Sequence, residues 1–194
     1  EDDGPSIDPN AEAVPTLTND DTDVPDSAGP TSFAGLFTRS FGKDGFLDAD
    51  DNNLEDAGAV TYALGLKDNG SDVASGLTDT LSGDAVVLNK VGNDIVGTID
   101  GGATEVFRIA LNADTGAITF TQARAVVHND ATDPVEAGAS TAGLAAADLV
   151  TLTATITDGD NDTDTATRNI GDAFKFEDDG PSIDPNAEAV PTLT

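Results

Sequence analysis

Residues 149–157, LVTLTATIT, constrain the fold more than any other stretch of this chain. Val150, Leu152, Ala154 and Ile156 alternate strictly with polar threonines. Successive side chains of a β-strand point to opposite faces, so the alternation predicts a strand with one buried face.

Similar short runs recur from Phe33 onward, rich in Val, Ile, Thr and Phe and separated by clusters of Gly, Asn and Asp. This arrangement is typical of strands and their turns. TEVFRIAL and AITFTQARAVV, joined by NADTG, predict a β-hairpin in which Gly116 takes a positive φ. Residues 142–149, AGLAAADL, are the one helical candidate, of one or two turns. About seven strands at intervals of roughly ten residues predict an all-β, Ig-like antiparallel β-sandwich.

An eighteen-residue sequence, EDDGPSIDPNAEAVPTLT, occurs twice, at residues 1–18 and 177–194. Identity over that length indicates a tandem repeat with a period of 176 residues. Residues 1–32 carry nine acids, no base and five prolines, which favours an extended, stiff segment. We therefore predict an inter-repeat linker at 1–19, the sandwich at 20–176, and the start of the next repeat at 177–194.

The charge balance narrows the range of partners. Eight basic and 37 acidic residues give a net charge of −29, so a compact state needs counter-ions and nucleic acid is excluded as a partner.

The chain has no cysteine, which excludes disulfides and thiolate metal sites. It contains no apolar run long enough to insert into a membrane. It also lacks methionine, and we expect a monomeric excerpt of a longer polypeptide.

Three acidic clusters are candidate cation sites. In DGDNDTD the acids stand at every second position, which in an extended chain points them to one side: Asp158, Asp160, Asp162 and Asp164. KDGFLDADDNN supplies Asp44, Asp48, Asp50 and Asp51. The duplicated segment supplies Asp2 and Asp3, and Asp178 and Asp179.

Calcium suits such clusters because it takes six to eight oxygen ligands, whereas magnesium prefers few carboxylates. The DGDND stretch is not an EF-hand loop, since Thr163 and Asn169 replace the required Gly and Glu. The alternative, that each cluster is a solvated acidic turn, stays open.

Enzymatic motifs are poor, and we predict no catalytic function. His128 is the only histidine, and a surface or loop-anchoring role is expected for it. No G-x-S-x-G or phosphate-binding glycine motif occurs. A paired-carboxylate hydrolase remains possible on composition alone, because acids are abundant throughout the chain.

Four stretches together resemble the long tandem repeats of giant type I-secreted RTX biofilm adhesins of Gram-negative bacteria. They are GLTDTLSGDAVVL (76–88), QARAVVHNDATDP (122–134), LAAADLVTLTATITDGDNDTDTAT (144–167) and FKFEDDGPSI (174–183). The resemblance implies an extracellular, cell-surface extender module, a β-sandwich stiffened by Ca²⁺. Such modules hold a distal ligand-binding region away from the outer membrane and serve attachment and biofilm formation.

The resemblance also implies ligands. It assigns Asp158, Asp160 and Asp162 of DGDND, the linker acids Asp2, Asp3, Asp178 and Asp179, and Asp44 near the same end of the domain. Asn161 replaces the commoner glycine of this motif but tolerates positive φ. The inserted stretch FLDADDNN, with Asp48, Asp50 and Asp51, forms either an additional site or a longer loop.

These observations lead to a hinge-lock hypothesis, in which Ca²⁺ ties each sandwich to a linker and converts a flexible string of neighbouring identical repeats into a rod. We expect DGDND to pair with the copy at 177–179, which leaves the copy at 1–3 without its partner and looser. The alternative is a Ca²⁺-dependent carbohydrate- or protein-binding module of the adhesin.

Overall fold

The computed structural model describes residues 4–128 and 141–178, which form an all-β domain. Helical structure in these residues is limited to single 3₁₀ turns of three residues each. The described strands are β1 Ser6–Pro9, β2 Leu17–Asp20, β3 Asp26–Ser32, β4 Phe37–Ser40, β5 Val60–Leu66, β6 Val73–Thr78, β7 Ala85–Val91, β8 Asp94–Ile99, β9 Thr104–Asn112, β10 Ala117–Gln122, β11 Ala142–Gly143, β12 Val150–Thr157, β13 Thr163–Asn169 and β14 Phe174–Glu177.

The strands form a β-sandwich, as the sequence predicts. The largest sheet is antiparallel, with the strand order β3-β10-β9-β8-β7-β6, and a second antiparallel sheet has the order β13-β12-β5. Strand β5 contacts β7, β8 and β9, so the second sheet packs on the first. Two small sheets complete the domain: β1 pairs with β4, and β14 lies between β11 and β2, parallel to β2.

The two sharpest local predictions are confirmed. In β12 the residues Val150, Leu152, Ala154 and Ile156 are fully buried, and the intervening threonines are partly exposed. Strands β9 and β10 form the predicted hairpin, and Gly116 in its turn has a φ of +66°.

The predicted helix at residues 142–149 is wrong except for one turn. Residues Ala142–Gly143 form β11, which pairs with β14, and only Ala147–Leu149 form a 3₁₀ turn. Between them the Ala145 N–H donates to the Ser75 carbonyl at 2.8 Å. Contacts with distant strands therefore override the helix propensity of this alanine-rich segment.

The core is centred on an aromatic cluster. The fully buried rings of Phe107, Phe120, Phe174 and Phe176 come from β9, β10 and β14. Phe120 lies 5.1 Å from Phe176 between ring centroids, edge-on at 87°, which is a favourable aromatic geometry. The cluster therefore fixes β14 against the large sheet.

The segment predicted as an N-terminal linker contributes strands to the sandwich. Ile7 in β1 is 4% exposed and Leu17 in β2 is 3% exposed, and both belong to the core. The folded domain therefore begins within residues 1–19 rather than after them. The sequence conceals this because the two apolar anchors lie ten residues apart in an acidic, proline-rich stretch.

An ion pair between buried Asp79 and partly exposed Arg124 connects the segment after β10 to the turn after β6. Asp79 is fully buried, and its two carboxylate oxygens accept hydrogen bonds from Arg124 Nε at 2.7 Å and Nη2 at 2.8 Å. The Arg124 guanidinium holds the pKa of the Asp79 carboxyl well below its usual value of 3.8. The ionised pair therefore stabilises the fold.

We expect Arg124→Ala to lower the melting temperature at pH 7 well beyond the effect of Lys67→Ala. Lys67 forms a 2.7 Å pair with Asp148 in which both side chains are exposed, so it contributes little. Because the folded pKa of Asp79 is depressed, the stabilisation is present above about pH 3.8 and is lost as the pH falls below it. The difference in melting temperature between Arg124→Ala and the unchanged chain should therefore become smaller below pH 3.8. A difference that does not change with pH would contradict this interpretation.

Candidate metal centre

The acidic turn DGDND joins β12 to β13 and is closed by its own backbone. The Asp158 N–H donates to the Asp162 carbonyl at 3.0 Å, and the Asp162 N–H donates to Asp158 Oδ1 at 2.8 Å. Asn161 has a φ of +72°, in the left-handed region that Asn tolerates. The chain therefore curls here instead of staying extended, and the predicted alignment of four carboxylates on one side is wrong.

A second loop packs closely on this turn. Asp158 forms a β-bridge with Phe46, and the Gly159 N–H donates to the Gly45 carbonyl at 3.1 Å. A Cβ at position 159 would lie 2.5 Å from the Asp44 carbonyl oxygen, so only glycine permits this approach. The contact brings Asp44, far away in sequence, to the acidic turn.

Three of the predicted ligands meet at this contact. One carboxylate oxygen from each of Asp44, Asp158 and Asp160 lies within 4.8 Å of the others. Asp44 and Asp160 are exposed, whereas Asp158 is fully buried. We call these three residues the entry cluster. Asp44 and Asp160 border an open pocket that is also lined by Gly45, Phe46, Asp48, Asp51, Asn53 and Gly159.

Asp158 Oδ2 is the unusual atom of the entry cluster. It is buried and accepts no hydrogen bond from any part of the chain that the structure describes. Leaving a buried polar oxygen without a partner is costly, and more so for an ionised one. A cation bound between the three carboxylates would give this oxygen the partner that it lacks.

Several negatively charged carboxylates lie close together at the same site. The pKa of the Asp160 carboxyl is raised, chiefly because its protonated form would donate a hydrogen bond to Asp158. Desolvation and the negative charges of Asp158, Asp162 and Asp44 raise it further. The site therefore favours a positive charge, whether a proton or a metal ion.

A second acidic group lies in the adjoining loop. Carboxylate oxygens of Asp48, Asp50 and Asp56 lie within 4.8 Å of one another. These oxygens already accept local hydrogen bonds: Asp48 from the Asn52 and Asn53 N–H groups, and Asp56 from the Ala49 N–H at 2.6 Å. These carboxylates therefore close the loop through hydrogen bonds to its backbone. Sequence reasoning missed Asp56, although it follows Asp48 by eight residues in the same loop.

The entrance of the chain into the domain lies beside the acidic turn. A Cβ on Gly4 would be 4.0 Å from Asp162 Oδ2, and the Ile7 N–H donates to Asp164 Oδ2 at 2.9 Å. Asp162 and Asp164 therefore face the first copy of the duplicated segment, and neither belongs to the entry cluster. Asp2 and Asp3 lie outside the described residues.

The expected pairing of DGDND with residues 177–179 lies partly outside the described residues, and the described part, Glu177 and Asp178, follows β14. Strand β13 leads away from the turn, and β14 begins only beyond its far end. The last residue of β14, Glu177, is paired with Asp20 of β2, and Asp178 follows it directly. Asp179 lies outside the described residues. Among those that are described, the first copy is the one that approaches the turn.

The His128 side chain is buried against Asp21. It is 4% exposed, and Nε2 lies 3.3 Å from Asp21 Oδ2. The same carboxylate oxygen accepts the Val126 N–H at 3.0 Å, and Asp21 also accepts a hydrogen bond from Gln122. The histidine therefore anchors residues 126–128 to the 3₁₀ turn that holds Asp21.

The fold and the entry cluster together define an all-β sandwich domain with an acidic site beside its N-terminal strand. Residues 16–171 match DUF5801, a domain family of unknown function, and the chain belongs to that family. No curated protein and no solved structure matches the chain. None of the described helical segments has the length and hydropathy required to cross a membrane.

Proposed function

We propose that this domain is a non-catalytic structural extender module of a bacterial surface adhesin, stiffened by Ca²⁺ at the end where the chain enters it. The observation that carries the proposal is the buried, unpartnered Oδ2 of Asp158, whose carboxylate has an oxygen within 4.8 Å of oxygens of Asp44 and Asp160. A module of this kind needs a firm joint to its neighbour, and this site lies next to the entering chain.

The residues of the entry cluster fit calcium. They offer hard oxygen ligands from two segments, and Ca²⁺ accepts several carboxylates in an irregular arrangement. Bound there, the ion would supply the positive charge that offsets the repulsion between Asp158 and Asp160. Magnesium fits less well, because it keeps most of its waters and prefers one or two carboxylates.

The position of the site supports a stiffening role. Asp44 and Asp158 belong to separate segments. Asp162 of the acidic turn and Asp164 in β13 face Gly4 and the backbone of β1. A cation that neutralises this acidic end would reduce the repulsion felt by the acidic residues that precede β1. The joint to a preceding repeat would then be held in one orientation.

The wider role is proposed from the resemblance to tandem repeats of type I-secreted adhesins. On that basis the module is extracellular, lies between neighbouring identical repeats on the cell surface, and projects a distal ligand-binding region for attachment and biofilm formation. The exact eighteen-residue duplication supports the tandem arrangement.

Calorimetric titration with Ca²⁺ tests the metal assignment. We expect the unchanged chain to bind Ca²⁺ at neutral pH and Asp158→Asn to lose the tightest binding step, because the buried oxygen then carries no charge. Asp172→Asn is the matched control. Asp172 is exposed in the 3₁₀ turn before β14, so this substitution removes the same charge at a different place. Equal titrations of the Asp158 and Asp172 variants would refute the assignment.

A further inference from the structure

The first copy of the duplicated segment lies in a groove that can be described in detail. Within residues 4–128 and 141–178, strand β1 pairs with β4 alone, antiparallel, and packs against β13. We call the surface formed by β4, β13 and the Arg168 side chain the β1 groove. Its occupant is an edge strand, the kind of element that another chain of the same sequence can replace.

The groove holds its occupant mainly through backbone groups and one apolar anchor. Ile7 is 4% exposed and is the buried anchor. Arg168 donates hydrogen bonds to the carbonyl groups of Asn10 and Glu12, the latter at 3.1 Å. The Asn10 N–H donates to the Leu36 carbonyl at 2.9 Å, and the Asn10 side chain donates to the Gly35 carbonyl at 2.8 Å.

The second copy carries every group that the groove recognises. Residues 182–188 repeat residues 6–12 without a difference, so Ile183 corresponds to Ile7 and Asn186 to Asn10. A binding surface cannot distinguish two segments of identical sequence. The described residues contain one β1 groove, and the sequence contains two segments that fit it.

We propose that residues 182–188 of one chain bind the β1 groove of a second copy of this chain, in place of that copy's residues 6–12. The strand would add to β4 by antiparallel pairing. The donor segment and the acceptor groove are different parts of the chain, so the contact is heterologous, and a molecule bound by its groove keeps a donor segment for a further molecule. This inference needs neither calcium nor the adhesin role.

In the unchanged protein the chain's own first copy is the favoured occupant. A tethered segment binds at an effective concentration on the order of millimolar, far above the micromolar concentration of other molecules. Exchange should therefore become visible when the first copy is disabled and the second is intact.

Ile7→Asp disables the first copy by placing a charge at its buried anchor. We expect this variant to form dimers and larger species whose mass, measured by light scattering after size-exclusion chromatography, rises at least twofold with protein concentration. The matched variant Ile183→Asp keeps its own first copy and should remain monomeric with an unchanged melting temperature.

The double variant, Ile7→Asp with Ile183→Asp, separates strand exchange from general aggregation. We expect it to stay monomeric and to melt below the unchanged chain. A monomeric Ile7→Asp variant at all concentrations would overturn the proposal, and so would equal association of Ile7→Asp and the double variant.

A peptide provides a readout if Ile7→Asp weakens folding. We expect an excess of the peptide EDDGPSIDPNAEAVPTLT to raise the melting temperature of the double variant towards that of the unchanged chain. The same peptide with Asp in place of its isoleucine should have no effect. Failure of the first peptide to raise the melting temperature would overturn the proposal.

Discussion

Replacing Phe120 by Ala is expected to lower the free energy of unfolding by about 3–5 kcal/mol. Phe120 is fully buried, and its ring lies 5.9 Å from Phe107, 5.4 Å from Phe174 and 5.1 Å from Phe176 between centroids. The substitution removes the buried ring, leaves a cavity and abolishes three aromatic contacts at once. Urea denaturation followed by circular dichroism measures the loss.

Leu81→Ala is the control for Phe120→Ala. Leu81 is 83% exposed, so its truncation should change the free energy of unfolding by no more than about 0.5 kcal/mol. If Phe120→Ala cost less than about 1 kcal/mol, the aromatic cluster would not be the centre of the core.

Removing calcium is expected to have the second large effect. Saturation with Ca²⁺ at about a hundredfold above the dissociation constant stabilises the folded state by about 2.7 kcal/mol per site, so a chelator should lower the melting temperature clearly. Asp158→Asn should make the melting temperature nearly independent of Ca²⁺, because the buried oxygen of Asp158 is the atom that most needs the cation.

Asp172→Asn should keep the full calcium dependence while removing the same charge. Differential scanning calorimetry with excess Ca²⁺ and with excess chelator measures all three proteins. An Asp158→Asn variant that responds to calcium as strongly as the unchanged chain would show that the ion stabilises the domain elsewhere.

Sequence patterns predicted a strand well where its burial or its turn depends on residues close together in the sequence. The alternation in β12 depends only on which face of one strand is buried, and the β9–β10 hairpin depends on a short turn with Gly116. The prediction failed at residues 6–20. There each strand is four residues long, and the partners β4 and β14 are supplied by distant parts of the chain.

The candidate site, too, could be predicted from the sequence only in part. The sequence and the resemblance placed Asp44, Asp158 and Asp160 at one end of the domain, and the structure brings their carboxylates together. The burial of Asp158 could not be predicted, because it arises from a bridge to Phe46, 112 positions earlier in the chain. The alternate spacing was misleading for Asp162, because the backbone turns at Asn161.

The direction of the proposed joint also depended on the structure. The sequence contains two identical copies of the acidic segment, and from it we expected the copy at 177–179 to be the neighbour of DGDND. The contacts of Gly4 and Ile7 with Asp162 and Asp164 instead favour the first copy, at the N-terminal end of the domain. The site should therefore stiffen the joint to the preceding repeat.

Small-angle X-ray scattering of a chain in which residues 1–176 occur twice before residues 177–194 tests this account most directly. With Ca²⁺ we predict the scattering of one extended rod, and with chelator that of two modules in many relative orientations. Asp158→Asn in the second repeat should abolish the calcium effect, whereas the same change in the first repeat should leave the joint between the two repeats intact. Identical scattering with and without calcium, or an effect confined to the first-repeat variant, would contradict the account.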